Sequence, residues 1–164
     1  MHNIYLATAF GLSQLSLKMN TEGVSQAESL VSAEPGGNCI NWNLGHILVS
    51  RGRILQQLGG APVLSESETL LYQRGSAALG PDSPALPIER LIRDLETSAA
   101  GIIERLKKLE TGALDRVIDP FPFPLPVEQP TLGTLLTLLL FHEGYHAGQV
   151  GLGRRLAGKP GQIK

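Results

Sequence analysis

Four long segments of the chain repeat apolar residues every three or four positions, the spacing of one helix face. Helices of this kind bury their apolar faces by packing against one another. No segment shows a convincing strand pattern. The sequence therefore predicts an all-α fold, a four-helix bundle in which residues 1–164 form a single domain, with helices over 2–19, 39–58, 87–109 and 131–157.

Polar capping residues, glycine and proline mark the gap between the first two long helices. Ser25 and Glu28 have the spacing of a capping box, which predicts a short helical segment that ends at Pro35-Gly36-Gly37. Asn38 is the predicted N-cap of the second long helix.

Two long connections are predicted. Residues 60–84 are rich in Ser, Gly and Pro, which favours a loop with one helical turn near Leu70. Residues 119–126 place proline at every second position and so lack the backbone donors that a helix or central strand needs. This segment is predicted to be an extended connector before the last helix.

Charge and cysteine content exclude several classes of function. Lys and Arg number 14 and Asp and Glu 15, so there is no general attraction for nucleic acid or an anionic membrane. The most apolar run, 132–141, is about half the length that spans a bilayer. The lone Cys39 cannot form an internal disulfide, and residues 1–5 lack a secretory pattern, which predicts a cytoplasmic location.

Three of the four histidines fall on two predicted core helices, and the fourth, His2, lies at the frayed N-terminus. His142 and His146 are four residues apart, about 40° around the helix, on the face that carries Leu135 and Leu138. His46 lies in the middle of the second long helix. Core histidines bonded to carbonyls are the alternative interpretation, but three histidines on two core helices favour one shared metal ion.

Three neutral imidazoles suit a divalent ion and leave at least one coordination position open. Zinc or nickel is the first expectation for the ion, and manganese or iron is also compatible. A structural zinc site would more often have four ligands, including thiolates. Cys39 lies two helical turns before His46, about 10 Å along the axis, and is expected to be an ordinary core residue.

Residues 142–146 also match the H-E-x-x-H pattern of zinc proteases. Those enzymes take a third ligand after the motif, whereas no His, Asp or Glu follows His146 in this chain. No sheet edge is predicted that could bind a peptide strand. A protease is therefore the least favoured of the metal-dependent functions.

Two segments, Asn38-Cys-Ile-Asn-Trp-Asn-Leu-Gly-His46-Ile and His142-Glu-Gly-Tyr-His-Ala-Gly-Gln149, strongly resemble the DinB-like family of metal-binding four-helix-bundle proteins. The resemblance covers the helical layout, and its specific matches lie on the second and fourth long helices. It implies that His46, His142 and His146 bind a divalent metal inside the bundle, and that the protein is a homodimer. It also implies kinship with S-transferases that use a low-molecular-weight thiol such as bacillithiol, mycothiol or glutathione.

Three residues beside the histidines are candidates for catalysis: Glu143, Tyr145 and Gln149. Glu143 could reach the flank of the site as an acid or base, with a surface position as the alternative. Tyr145 could place its hydroxyl near the open position, or be core. Gln149 could orient a ligand or substrate, or only pack between helices.

Other side chains have more ordinary expected roles. Trp42 is expected to pack under His46. Four arginines could attract an anionic thiol, but a solvent-facing position is favoured for each: Arg51, Arg53, Arg154 and Arg155.

Two functions remain open on the sequence. The first is a metal-dependent transferase acting on a small molecule, with the ion as Lewis acid and thiolate generator. The second is a noncatalytic metal-binding or stress-response module. An open coordination position favours the first, and the lack of an obvious second catalytic group keeps the second.

Overall fold

The computed structural model describes residues 2–32, 36–124, 126 and 128–163. Six α-helices and one 3-10 turn, Ala113–Asp115, lie in these ranges. The helices are α1 (His2–Thr21), α2 (Gln26–Ser29), α3 (Ile40–Gln57), α4 (Glu66–Tyr72), α5 (Ile88–Lys108) and α6 (Leu132–Leu156).

The four long helices pack as a bundle. Both α1 and α3 pack against α5 and α6, so that α1 and α3 lie diagonally across the bundle from each other. The predicted all-α four-helix bundle is confirmed. None of the helices in the described ranges has the length and apolar character that crossing a bilayer requires.

The core consists of two apolar clusters, one in each half of the bundle. The first includes Leu44 on α3 and Val150 on α6, and the second includes Ile54 on α3 and Leu136 on α6. Along α6, the second cluster ends at Leu139 and the first resumes at Ala147. The intervening two turns of α6 carry His142, Glu143 and His146, so these polar residues lie between two apolar halves.

The structure corrects details of the predicted caps. Ser25 and Glu28 do form a capping box, but the helix that follows them is a single turn. The N-cap of α3 is Cys39 rather than Asn38, and its sulfur accepts a hydrogen bond from the Trp42 backbone N–H at 3.4 Å. Cys39 is buried, as expected.

Both predicted connections are present, and each contains a feature that was not predicted. The loop after α3 contains α4, which spans seven residues rather than the single turn expected near Leu70. In the segment before α6, the one pairing that the described residues show is an isolated antiparallel bridge between Val117 and Thr131. Proline at every second position explains why the described residues of 119–126 form no regular element. Phe121 and Phe123 pack against the second apolar cluster.

Candidate metal centre

Helices α3 and α6 bring three imidazoles together. The Nε2 atom of His142 lies 3.2 Å from Nε2 of His46 and 3.2 Å from Nε2 of His146. All three residues offer a nitrogen within 4.8 Å of the others, and His46 and His146 are buried while His142 is half-buried. Within the described ranges, no other group of three potential ligands comes this close.

His46 is oriented by the loop that carries α4. Its Nδ1 donates to the backbone carbonyl of Tyr72 at 2.7 Å. The indole of Trp42 stacks on the His46 ring, with centroids 4.5 Å apart and planes 13° apart, which confirms the expected packing. Gly45 makes this approach of the loop feasible, because a Cβ at that position would overlap the Tyr72 ring. Tyr72 in turn is fixed by its hydroxyl, which donates to Asn41 Oδ1 at 3.0 Å.

His146 is oriented by two side-chain amides. Its Nδ1 lies 2.8 Å from Asn43 Oδ1 and 2.7 Å from Gln149 Oε1. The Asn43 amide is held in one orientation, because its Nδ2 donates to the carbonyls of Asn38 and Cys39 at 3.2 and 2.9 Å. The oxygen of Asn43 therefore faces His146, and the imidazole must donate from Nδ1.

These hydrogen bonds fix the tautomers of two rings. In a neutral imidazole one nitrogen carries the proton and the other a lone pair. Since Nδ1 of His46 and of His146 donate to oxygen, both Nε2 atoms present lone pairs toward His142. Ser50 Oγ lies 3.4 Å from Nδ1 of His142 and is placed to accept its proton. With Nδ1 of His142 protonated, three lone pairs converge, the arrangement that a metal ion requires.

The environment keeps these rings neutral. Burial lowers the pKa of His46 and His142 below the ordinary value of 6.5. Burial, together with the neighbouring His142 and His46, lowers the pKa of His146 to about 4. All three histidines are therefore uncharged near neutral pH, as metal ligands must be.

Two of the three nitrogen separations match those around a first-row divalent ion. Nitrogens about 2.0–2.1 Å from a tetrahedral ion lie roughly 3.3 Å from one another. The two Nε2 separations of 3.2 Å are close to that value. A proton on one Nε2 could satisfy only one neighbouring lone pair, whereas a divalent ion would satisfy all three. Three imidazoles are compatible with zinc, nickel, manganese or iron.

The three imidazoles line a cleft of about 880 Å³, a size suited to a small-molecule ligand. Part of its wall is apolar, including Val49, Phe123 and Leu138. Ser50 and Tyr145 also line it. A ligand in the cleft would thus contact both the imidazole cluster and an apolar wall.

Glu143 lies in a buried ion pair. Its carboxylate accepts from Arg51 Nε at 2.9 Å and from Arg51 Nη2 at 2.6 Å, and from Ser13 Oγ at 2.6 Å. Glu143 is 1% exposed and Arg51 0% exposed. The surface position considered for each of them is therefore wrong: the helix turns both side chains into the bundle, where they neutralise each other. Neither residue is among those lining the cleft within the described part of the chain.

Tyr145 and Gln149 lie one turn apart beside His146. Tyr145 is 61% exposed, so a core position is wrong, and its ring meets the His146 ring edge-on at 5.2 Å. Gln149 Nε2 donates to the Tyr145 hydroxyl at 3.3 Å while its Oε1 binds His146. Gln149 thus contacts a predicted metal ligand directly.

The remaining arginines differ in placement. Arg154 is buried, contrary to the favoured surface position, because its guanidinium donates to the carbonyls of Asn20, Glu22 and Pro160. Arg155 is exposed. Arg53 is exposed and lines the cleft.

Sequence reasoning missed the residues that orient the imidazoles, Tyr72 and Asn43. For Tyr72 the only signal was Gly45, a helix-interior glycine whose missing side chain accommodates the tyrosine ring. Asn43 is three residues before His46, and nothing in the sequence shows that it faces a histidine on another helix.

Comparison with known proteins agrees with this fold and shows the family. The sequence profile described as the DinB superfamily matches residues 16–150. A conserved protein from Enterococcus faecalis, known from its crystal structure, is similar in fold with a TM-score of 0.71 at 17% identity, over 94% of this chain and 96% of that one. No curated protein matches the sequence significantly. Because the superfamily profile covers most of the chain, the protein belongs to the DinB superfamily.

Proposed function

We propose that this protein is a metal-dependent enzyme that transfers a low-molecular-weight thiol to or from a small molecule. The observation that carries the proposal is the convergence of three imidazole lone pairs at the wall of an accessible cleft. Three protein ligands leave a coordination position for a substrate, as in catalytic rather than structural zinc sites.

The metal ligands would be His46, His142 and His146. A divalent ion held there would act as a Lewis acid that binds a thiol sulfur as thiolate at neutral pH. Tyr72, Asn43 and Gln149 would hold two of the imidazoles in the tautomer and orientation that binding needs. A thiol co-substrate also suits the reducing cytoplasm, the location that the sequence predicts.

Tyr145 is the best-placed candidate for proton transfer. Its ring lines the cleft next to His146, and its hydroxyl accepts from Gln149. The hydroxyl can therefore donate its own proton to a leaving group at the cleft. Gln149 would orient both His146 and Tyr145.

The geometry disfavours a zinc protease. Such an enzyme needs the glutamate of H-E-x-x-H as a free general base. Here Arg51 and Ser13 occupy the carboxylate of Glu143. The third imidazole also comes from α3, a different helix.

A noncatalytic metal-binding module is the second candidate. One observation favours it: no carboxylate is among the described residues that line the cleft, so Tyr145 is the only ordinary acid-base group besides the ligands. In that case the metal would stabilise the bundle, and the activity assay below would remain negative.

The test uses purified protein loaded with zinc, nickel or manganese. A panel of small thiols is mixed with monochlorobimane, whose fluorescence reports formation of the carbon–sulfur bond and loss of chloride. We expect metal-dependent turnover that chelation abolishes and His46→Ala lacks. If no metal supports turnover above the uncatalysed rate with any thiol, the transferase proposal is wrong.

We also propose that the protein forms a homodimer through α1 and α6. Large apolar side chains on these neighbouring helices are exposed, including Tyr5 and Leu12 on α1 and Phe141 and Leu152 on α6. Exposed apolar residues in such number are typical of an association surface. Light scattering should show a dimer that Leu152→Glu dissociates and Leu70→Glu, on the exposed side of α4, does not. A monomeric wild-type protein would contradict the proposal.

A further inference from the structure

The cleft beside the imidazoles carries two guanidinium groups. Arg53 and Arg74 both line it, and no Asp or Glu is among the described lining residues. The sequence as a whole is nearly neutral, with 14 basic and 15 acidic residues. The positive charge of the cleft is therefore a local feature rather than a result of composition.

The two arginines lie close to the imidazole cluster along the chain. Arg53 is two helical turns after His46 on α3, about 10 Å along the axis. Arg74 follows Tyr72, whose carbonyl binds His46, by two residues.

Neither arginine has an acidic partner in the described ranges. Arg51 and Arg90 form ion pairs with Glu143 and with Glu68, but neither Arg53 nor Arg74 has a carboxylate oxygen within 4.0 Å among these residues. The Arg53 guanidinium instead lies over the Phe123 ring, 5.8 Å from its centroid. Such stacking restrains the side chain at the wall of the cleft while its N–H groups remain able to donate.

We propose that Arg53 and Arg74 bind the anionic group of the substrate, a carboxylate or phosphate, while its sulfur reaches the imidazole cluster. Guanidinium groups recognise both oxyanions through paired N–H donors. The inference deepens the proposed function by naming the substrate as an anionic thiol. Only the thiol part of this inference rests on the proposed function, because the oxyanion site depends on the two arginines alone.

The fluorescence of Trp42 reports ligand binding and does not require activity. It is the single tryptophan of the sequence and lines the same cleft. Titration of zinc-loaded protein with mercaptosuccinate, an anionic thiol, is compared with 1-thioglycerol, a neutral thiol. Succinate and inorganic phosphate, which lack a thiol, are titrated into chelator-treated protein to separate the two oxyanions from metal binding.

Mercaptosuccinate should bind more tightly than 1-thioglycerol. Arg53→Gln and Arg74→Gln should each weaken mercaptosuccinate binding about 10-fold, as expected for loss of one partly solvated charge-assisted hydrogen bond. Arg93→Gln removes the same charge from the exposed surface of α5 and should not change the preference. Zinc content and circular dichroism show that each variant is folded.

The inference is overturned if wild-type protein binds both thiols equally, or if the double variant Arg53→Gln/Arg74→Gln keeps the preference for mercaptosuccinate. Turnover of neutral thiols without an anionic preference would leave the proposed function and remove this inference. Binding of succinate or phosphate to metal-free protein that the double variant loses would support the oxyanion site even if no thiol is turned over.

Discussion

Helices α3 and α6 meet at two polar clusters that begin at consecutive residues, His142 and Glu143, but differ in how their hydrogen bonds are used. In the Arg51–Glu143 pair, each carboxylate oxygen accepts from the guanidinium. In the imidazole cluster, the outer nitrogens of His46 and His146 are bonded while their Nε2 atoms face a third Nε2. A cluster whose hydrogen bonds are paired within the protein needs no ligand. Converging lone pairs, in contrast, are typical of a site that binds a metal ion.

The two clusters also differ in the number of helices that they connect. Arg51 lies on α3 and donates to Gln14 on α1, to Leu95 and Ser98 on α5, and to Glu143 on α6. This one buried side chain therefore connects α3 to the other three long helices. The three imidazoles come from only two helices and line the cleft. We infer that the ion pair holds the bundle together and that the imidazoles serve binding.

Removal of a ligand should have the largest effect. His46→Ala and His146→Ala are each expected to weaken zinc binding by more than about 100-fold, which exceeds the usual effect of changing a group that only orients a ligand. Helical content should be retained, because the apolar clusters are unchanged. Calorimetry and circular dichroism measure the two quantities, and His2→Ala, the fourth histidine, is the control. Unchanged zinc affinity in either variant would refute its assignment.

Breaking the ion pair should instead affect stability. Glu143→Gln leaves the buried Arg51 charge without its counterion, which typically costs about 3–5 kcal/mol. Glu104→Gln, which breaks the exposed pair with Lys108, should cost far less, because solvent screens that pair. Urea unfolding provides both free energies. Equal losses in the two variants would show that the Arg51–Glu143 pair is not the stabilising cluster.

Acidification should destabilise the metal-free protein. The pKa of His146 is about 4 in the folded state, against an ordinary value of 6.5, so between these pH values the unfolded chain holds a proton that the folded chain does not. The neutral His146 ring contributes at most about 3 kcal/mol to the free energy of unfolding. This stability is fully present above pH 6.5 and is lost as the pH falls to about 4. Urea unfolding after chelation should show a shallower pH dependence for His146→Gln. Identical pH profiles would contradict this account.

The groups that orient the imidazoles should have a smaller effect on binding. Gln149→Leu removes one acceptor for Nδ1 of His146 and is expected to weaken zinc binding about 10–100-fold. Gln56→Leu, an exposed glutamine on α3, should leave the affinity unchanged. Zinc competition with a chromogenic chelator measures both. If the two variants bind zinc equally well, Gln149 does not support the ligand.

The helices were predictable because each carries its own apolar periodicity. The stripe of α5 predicted a helix over 87–109, and the structure has Ile88–Lys108. The chain around α4 was predicted as a loop with one turn, although Ser65 and Glu68 have the capping-box spacing that also marked Ser25 and Glu28, and the structure forms that box. Tyr72 packs over Gly45, a contact between residues far apart in sequence.

The histidine site was also predictable in part from helical periodicity. The spacing of His142 and His146 places them on one helix face, and the scarcity of histidine directed attention to His46. The position of Glu143 was not predictable, since helix geometry gives its angle but not the partner that faces it. That partner, Arg51, lies 92 residues earlier in the chain.

X-ray absorption spectroscopy of protein reconstituted with one equivalent of zinc tests the central claim most directly. We predict three imidazole nitrogens about 2.0–2.1 Å from the ion, with the remaining coordination from oxygen. Addition of mercaptosuccinate should then introduce a sulfur neighbour about 2.3 Å away. A zinc environment with fewer than three imidazoles, or one made mainly of carboxylate oxygen, would contradict the account.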